Sequence, residues 1–247
     1  MASEVDSDKL VTHTEFGYIT TDGNTETTAF NLESRINKGW GKHIFSFIFD
    51  GQKGEETSDE TKNKFFVELE YDYEFTDRFA FDYLTGYKDD KFSGYDYQFY
   101  TGPGVKYKVL MLQNHDLAIE SNILYSKDSI EDKDYDINDV LIKYPNPKKV
   151  VVAYSVSGDT RDYTGLRAKF NYEWRILETL KFQQEASWRA EASDTKNYFV
   201  FSKTALINKI DDVFSFSIDY KIDYINEQAP DKDKTDTTLT ASIIIDY

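Results

Sequence analysis

The sequence contains no cysteine, and this absence removes several kinds of site at once. Without thiols there is no disulfide framework, no thiolate nucleophile and no cysteine-ligated metal. The chain also lacks any run near the roughly 20 apolar residues that a membrane-spanning helix requires, which excludes a helical membrane protein. Its length of 247 residues permits one large all-β domain or two small ones.

Positive charge is scarce relative to negative charge. There are 29 Lys and Arg residues against 45 Asp and Glu, which gives a formal net charge of -16 and a pI near 4.6. Phosphate groups are bound mainly by Lys and Arg, so we expect no nucleic-acid partner. An acidic surface of this kind suits a protein that must stay soluble or that works in salt.

Aromatic residues, in contrast, are abundant. The chain has 19 Tyr and 18 Phe, far too many for a disordered acidic protein. Mean hydropathy is nevertheless only -0.62. A membrane β-barrel combines these two properties, because only every second residue of each strand faces lipid.

The last strand shows this alternation clearly. One face is apolar, the other is polar apart from Ile244, and the chain stops on an aromatic ring. The strand resembles the C-terminal strand of outer-membrane β-barrels, which the barrel-assembly machinery reads as a signal. An ordinary half-buried strand at a domain edge is the alternative. The candidate signal residues are Leu239, Ala241, Ile243, Ile245 and Tyr247.

About twelve such segments, each of roughly 10 residues, follow one another along residues 10–247. Connections after the second, fourth, eighth and tenth segments are short, whereas several after odd-numbered ones are longer and charged, such as residues 51–60. We therefore predict an all-β fold, a single antiparallel transmembrane β-barrel with short periplasmic turns and longer extracellular loops. The first and last segments should pair to close it. A soluble β-sandwich is less favoured, because its strands usually have about 5–6 residues.

Aromatic residues near the segment ends are expected to form girdles at the two membrane interfaces. This set is Tyr18, Tyr73, Tyr87, Tyr107, Trp174, Trp188, Tyr224 and Tyr247. Residues 1–9 lack the basic and apolar regions of a signal peptide. Given the barrel pattern, we expect that a signal peptide has been removed and that residues 1–9 are a periplasmic segment or a remnant of expression.

Two stretches resemble the DUF481 family, also described as YdiY-like or salt-induced outer-membrane proteins. The stretch from Phe16 to Leu32 resembles the family's opening hairpin, with Gly23, Asn24 and Thr25 at its turn. Residues 102–107 are similar to its glycine-rich strand. The resemblance covers residues 10–247 and implies an outer-membrane β-barrel of Gram-negative bacteria, associated with salt or envelope stress, with no established catalytic residues.

Side-chain parity places charged residues on the inner face of the predicted barrel. Acids of the fourth and fifth segments and bases of the eighth to tenth should form two opposed walls, with Glu173 and Glu185 interrupting the basic one. Such walls favour a channel for ions or small solutes. Alternatively, the charges pair and plug the interior of a non-conducting structural or surface-binding barrel. The predicted lumen-lining residues are Glu33, Arg35, Glu68, Glu70, Asp72, Glu74, Asp82, Arg167, Lys169, Lys181, Glu185, Arg189, Lys203, Asp219 and Lys221.

A long connection at about residues 127–161 is predicted to lie outside the cell or to insert into the lumen. Its alternating acids Asp132, Asp134 and Asp136 suggest calcium, but Ile137 and Lys143 occupy the required glycine and bidentate-acid positions. A solvated acidic loop is therefore favoured. Residues 148–156 should form an extra strand or hairpin.

We expect no catalytic residues, no metal and no cofactor. Among the three histidines only His43, on a strand, could serve as a base, and no Gly-x-Ser-x-Gly elbow is present. The glycine pair Gly102 and Gly104 is not followed by a helix and predicts a kink or bulge instead.

The expected partners are outer-membrane lipid, the barrel-assembly machinery, and small solutes or ions. The sequence leaves the oligomeric state open.

Overall fold

A computed structural model of the chain describes residues 10–21, 27–57, 59–138, 140–142, 150–227 and 233–247. Within these ranges, no helix has the length and apolar character needed to cross a membrane. The described chain consists of strands and their connections. The strands are β1 (Leu10–Thr21), β2 (Thr27–Trp40), β3 (His43–Glu56), β4 (Asp59–Glu74), β5 (Phe79–Asp90), β6 (Tyr95–Met111), β7 (His115–Ile130), β8 (Lys133–Tyr135), β9 (Tyr154–Val156), β10 (Thr160–Arg175), β11 (Leu180–Glu191), β12 (Tyr198–Lys209), β13 (Phe214–Ile225) and β14 (Thr235–Asp246).

Twelve of these strands form one closed antiparallel barrel, and β8 and β9 form a separate two-stranded sheet. Each barrel strand pairs with its neighbours in sequence, β10 following β7. The first and last strands close the wall, with Phe16 opposite Ile243. The predicted all-β barrel of about twelve strands, closed by its first and last segments, is confirmed.

Alternation along each strand separates an apolar outer face from a charged interior. On β4, Leu69 points outward and is 54% exposed, whereas Glu68 and Glu70 beside it are buried. Lys221 and Asp82 are likewise buried within the barrel. A soluble protein would instead bury its apolar side chains and expose its charged ones. This arrangement fits a lipid environment, in which the closed sheet also satisfies every ladder hydrogen bond.

Aromatic rings cluster on the outer face near both ends of the barrel. At the turn end, the Tyr73 and Phe75 ring centroids are 5.2 Å apart. At the loop end, Tyr87 stacks against Phe65 and Tyr97, with 5.8 Å between centroids in both pairs. Between these two belts a tilted strand rises roughly 20 Å, close to the apolar band of outer-membrane barrels.

The two ends of the barrel carry different connections. Short turns lie at the end of the barrel where β1 begins and β14 ends. Gly41, in the turn between β2 and β3, adopts the positive φ of 59° that this tight turn requires. At the opposite end, the predicted long loop over residues 51–60 is wrong. β3 and β4 pair from Phe49–Val67 up to Glu56–Asp59, accommodated by a register shift at Gly54–Glu55. The predicted turn at Gly23, Asn24 and Thr25 lies outside the described residues.

The pairing of β6 with β7 shifts register in two places, between Tyr95 and Tyr97 and between Lys108 and Leu110. The first shift places Tyr95 inside the barrel, although simple alternation from Tyr97 would point its ring outward. No bulge lies at Gly102, because the register is the same at Thr101 and at Gly104. A Cβ on Gly102 would instead collide with the Ile123 carbonyl oxygen of β7, so this glycine permits a close approach of two strands.

The segment between β7 and β10 spans residues 131–159, somewhat less than predicted. Part of the predicted extra strand is present as β9, which pairs with β8 and stacks Tyr154 on Tyr135. Two acids of this segment accept hydrogen bonds from backbone amides. Asp132 accepts a hydrogen bond from the Gly158 amide, and Asp136 accepts from the amides of Asn138 and Val140.

Candidate functional site: the charged lumen

Two cavities enter the barrel interior from its opposite ends. The upper cavity, on the loop side, has a volume of about 160 Å³, and the lower cavity, on the turn side, about 370 Å³. Four side chains line both of them and so stand between the two spaces. We call these residues the central layer: Glu33, Arg35, Glu185 and Lys203.

Ion pairs that cross the lumen hold the central layer together. Arg35 on β2 reaches Glu185 on β11, with 3.5 Å between nitrogen and oxygen. Lys203 on β12 contacts Glu33 on β2 at 2.9 Å and also Glu15 on β1 at 3.0 Å. Each charge here has an opposite charge in contact, as groups removed from water require.

Beside the central layer, two basic residues of β10 reach acids of β4. Arg167 lies 3.3 Å from Glu68 and 3.3 Å from Glu120 of β7. Lys169 lies 3.7 Å from Glu70 and also 3.4 Å from Glu185, so it joins this cluster to the central layer. The result is one continuous network across the middle of the barrel.

Further pairs tie the walls together in the upper half. Lys64 of β4 and Lys88 of β5 both contact Asp223 of β13, at 2.6 Å and 3.3 Å. Because β5 and β13 occupy opposite sides of the closed sheet, the Lys88 contact spans the lumen. Lys221 binds Asp50 of β3 at 2.5 Å and Glu33 at 2.8 Å.

The lower half is wider and its charged groups pair more locally. Lys106 of β6 contacts Asp72 at 2.6 Å, and Lys108 contacts Glu74 at 3.0 Å. His13 lies between two carboxylates, with Nδ1 2.6 Å from Asp246 and Nε2 2.9 Å from Glu15. The lower cavity, which is the larger of the two, opens towards the turn end of the barrel.

All fifteen residues predicted from parity lie on the inner face, where they line a cavity or are buried in the interior. The prediction of two opposed walls needs revision, however. Lys64, Lys88 and Lys106 lie on or beside the supposedly acidic wall, so charges of both signs are interleaved. Pairing between neighbouring strands explains the interleaving, because an uncompensated acidic wall would repel itself.

Several members of the network were not among the lumen-lining residues predicted from the sequence. Glu15, Asp50, Lys64, Lys106, Glu120 and Asp223 all lie inside and make ion pairs. The same parity rule could have found them. Asp50 and Lys64 were not predicted because they lie beside residues 51–60, which were expected to form a loop between β3 and β4.

The histidine considered as a base does not face the lumen. His43 lies at the turn end, where Nδ1 is 2.8 Å from the Tyr71 hydroxyl and the ring contacts Tyr73. His115 makes the same kind of contact with the Tyr172 hydroxyl, at 2.9 Å. Both imidazoles therefore belong to the aromatic belt at that end of the barrel.

The predicted assembly-signal residues all lie on the outer face of β14. Leu239, Ala241, Ile243 and Ile245 are exposed there, and Tyr247 is 88% exposed at the turn end. The backbone of Tyr247 exchanges two hydrogen bonds with Thr12, at 2.6 Å and 3.0 Å. The last residue thus completes the seam between the first and last strands.

A closed sheet with an apolar exterior, aromatic belts and an ionic interior defines the outer-membrane class of β-barrels. Within this class, the chain belongs to the family described as "Protein of unknown function, DUF481", whose model matches residues 14–247. The family resemblance is therefore confirmed. A search of the curated proteins found no match.

The chain is similar to several solved structures. The translocator domain of the autotransporter NalP from Neisseria meningitidis gives a TM-score of 0.51 at 8% identity, covering 98% of this chain and 90% of that one. The NanC porin gives 0.47 at 12% identity, covering 96% and 98%. The KdgM porin gives 0.42 at 9% identity, covering 97% and 98%. At such low identity the likeness concerns the fold alone.

Proposed function

We propose that the protein is a narrow channel for ions and small polar solutes in the outer membrane of a Gram-negative bacterium. One observation carries this proposal: cavities enter from both ends of the barrel, and among the residues that the structure describes only the central layer lines both of them. Side chains rather than backbone close the path at that level. Rearrangement of a few ion pairs is therefore enough to connect the two cavities.

The charges of the lumen should determine which ions pass. Rings of charged side chains set selectivity in membrane channels. Glu70 and Arg167 both lie within the network beside the central layer. Changing the sign of either one alters the local potential without changing the backbone of the barrel.

Single-channel recording in planar bilayers tests the proposal directly. We expect detergent-refolded protein to give discrete conductance steps. Glu70→Lys should shift ion selectivity towards anions, and Arg167→Glu should shift it towards cations. Lys209→Glu, which alters an exposed cation at the turn end, serves as the control. The absence of steps from pure, correctly folded protein would overturn the proposal.

A non-conducting structural or surface-binding barrel is the second candidate. The Lys88–Asp223 contact favours it, because this pair joins opposite walls above the central layer. If such ties persist in the membrane, they block the path. Under this alternative, no conductance appears even when the salt concentration is raised to weaken the ion pairs.

A further inference from the structure

Arg189 on β11 differs from the other arginines of the lumen in its surroundings. It lines the upper cavity, and only 9% of its surface is exposed. Its guanidinium carbon lies 4.6 Å from the centre of the Tyr100 ring and 4.5 Å from that of Phe199. Two aromatic rings therefore hold this cation in place.

Within the described residues, no carboxylate oxygen lies within 4.0 Å of the Arg189 guanidinium, and Nη1 has no hydrogen-bond acceptor. Its direct neighbour across the β10–β11 ladder, Arg167, has Glu68, Glu70 and Glu120 as partners. Contacts with aromatic rings compensate only part of the cost of burying a cation. In the part of the chain that the structure describes, Arg189 thus has no carboxylate in direct contact, which leaves its guanidinium able to bind an anion.

The described acids near Arg189 make no ion pair with it, and Asp128 acts on it only through a longer electrostatic interaction. Asp128 accepts hydrogen bonds from the Tyr163 hydroxyl at 2.8 Å and from the Gln98 amide at 3.4 Å. Every carboxylate that lines the upper cavity contacts a Lys or Arg other than Arg189. These carboxylates are Glu33, Asp50, Glu68, Glu185 and Asp223.

The walls around Arg189 are rich in aromatic surface. Phe66, Tyr100, Phe199 and Phe201 all line the upper cavity, whose volume is about 160 Å³. An apolar cavity of roughly 150 Å³ is large enough to hold benzene. The space therefore suits a small planar molecule, and the unpaired guanidinium supplies a partner for one negative charge.

We propose that the upper cavity binds small carboxylates that carry a planar apolar group, with Arg189 as the partner of the carboxylate. The aromatic side chains contact the apolar part, and the guanidinium fixes the orientation. This inference rests on the proposed channel function, since it names the class of solute that enters from the loop side. The binding itself does not require conduction.

Equilibrium binding to the detergent-refolded protein tests the site, with benzoate as the probe. Calorimetric titration of the wild-type protein should give binding of benzoate at least tenfold tighter than of acetate, which lacks the ring, or benzyl alcohol, which lacks the charge. Arg189→Gln should weaken benzoate binding at least tenfold. Arg175→Gln is the matched control, because Arg175 pairs with Asp116 at the turn end, away from the upper cavity.

Equal binding of benzoate and benzyl alcohol by the wild-type protein would overturn the inference, and this comparison needs no variant. So would unchanged benzoate affinity in a correctly folded Arg189→Gln protein. Arg189→Lys, which keeps the charge but shortens its reach, should fall between wild type and Arg189→Gln. Benzoate binding without conductance refutes the channel and keeps the site, whereas conductance without benzoate binding refutes the site alone.

Discussion

Arg35 and Glu185 meet across the lumen, 3.5 Å apart, although β2 and β11 lie on different sides of the barrel. Both side chains belong to the central layer that separates the upper and lower cavities. The pair is accordingly the most direct place at which to alter the constriction.

Removing both members of this pair should enlarge the path. We expect Arg35→Ala combined with Glu185→Ala to raise single-channel conductance at least twofold, because two long side chains leave the layer between the cavities. The double substitution removes both charges of the pair, and Lys169, the other partner of Glu185, keeps Glu70 at 3.7 Å. No buried charge among the described residues therefore loses every partner, a loss that typically costs about 3–5 kcal/mol. Conductance in planar bilayers is the measurement.

The control for this prediction is the exposed pair Lys53 and Glu55 of β3, 2.9 Å apart. Replacing both with alanine removes the same number of charges outside the central layer and should leave conductance within experimental error. A double variant at Arg35 and Glu185 that conducts like the wild type would show that the constriction lies elsewhere.

Much of the barrel wall follows from the sequence because side-chain parity is a local property. Phe65, Val67 and Leu69 alternate with Lys64, Phe66 and Glu68, and this period alone separates the outer face from the inner face of β4. An even number of strands allows β1 and β14 to pair in antiparallel orientation and close the barrel. Alternation assigns a side chain to the wrong face where a bulge shifts the register, as at Tyr95.

Ion pairs across the lumen could not be derived in the same way. Whether Arg35 meets Glu185 or Lys88 meets Asp223 depends on strand tilt and stagger, which accumulate around the whole barrel. No local pattern encodes these quantities. The contact of Arg189 with Tyr100 of β6 is equally non-local, whereas Phe199 is the direct partner of Arg189 in the β11–β12 ladder.

The outward position of Tyr247 leads to a prediction about assembly. Tyr247→Ala keeps both backbone hydrogen bonds to Thr12 but removes the exposed ring. Refolding in detergent should therefore be unaffected, whereas the amount of protein assembled in the outer membrane of cells should fall several-fold. The folded fraction is measured from heat-dependent gel mobility of membrane extracts.

Tyr220→Ala provides the comparison for the assembly experiment, because Tyr220 is an exposed ring on the outer face of β13, outside the terminal strand. Its loss should leave assembly in cells close to that of the wild type. Equal assembly of the Tyr247 and Tyr220 variants would count against a terminal signal.

The turn between β12 and β13 should respond to acid. The Asp211 carboxylate accepts hydrogen bonds from the amides of Phe214 at 2.7 Å and Val213 at 2.8 Å, and these bonds lower the pKa of Asp211. Because the folded pKa is depressed, this stabilisation is present above the ordinary carboxyl pKa near 4 and is lost as pH falls through the folded value.

Asp211→Asn should therefore lower the denaturation midpoint at pH 6, and the difference from wild type should shrink towards pH 3. Guanidinium titrations of refolded protein at several pH values provide the measurement. Asp77→Asn in the turn between β4 and β5 is the control, since its carboxylate shows no backbone hydrogen bond within the described part of the chain. A difference that grows on acidification would contradict the assignment.

The seam between β1 and β14 depends on a glycine. Pairing between these strands runs from His13–Asp246 to Gly17–Ser242, and a Cβ on Gly17 would lie 2.5 Å from Thr240 Cγ2. Gly17→Ala should accordingly lower the free energy of unfolding by about 1–3 kcal/mol, the usual cost of overpacking. Thr240→Ser removes the methyl group in question, so Gly17→Ala combined with Thr240→Ser should recover at least half of the loss. Denaturant titration of the wild type, both single variants and the double variant gives the coupling energy, and strictly additive effects would show that the two residues do not compete for this space.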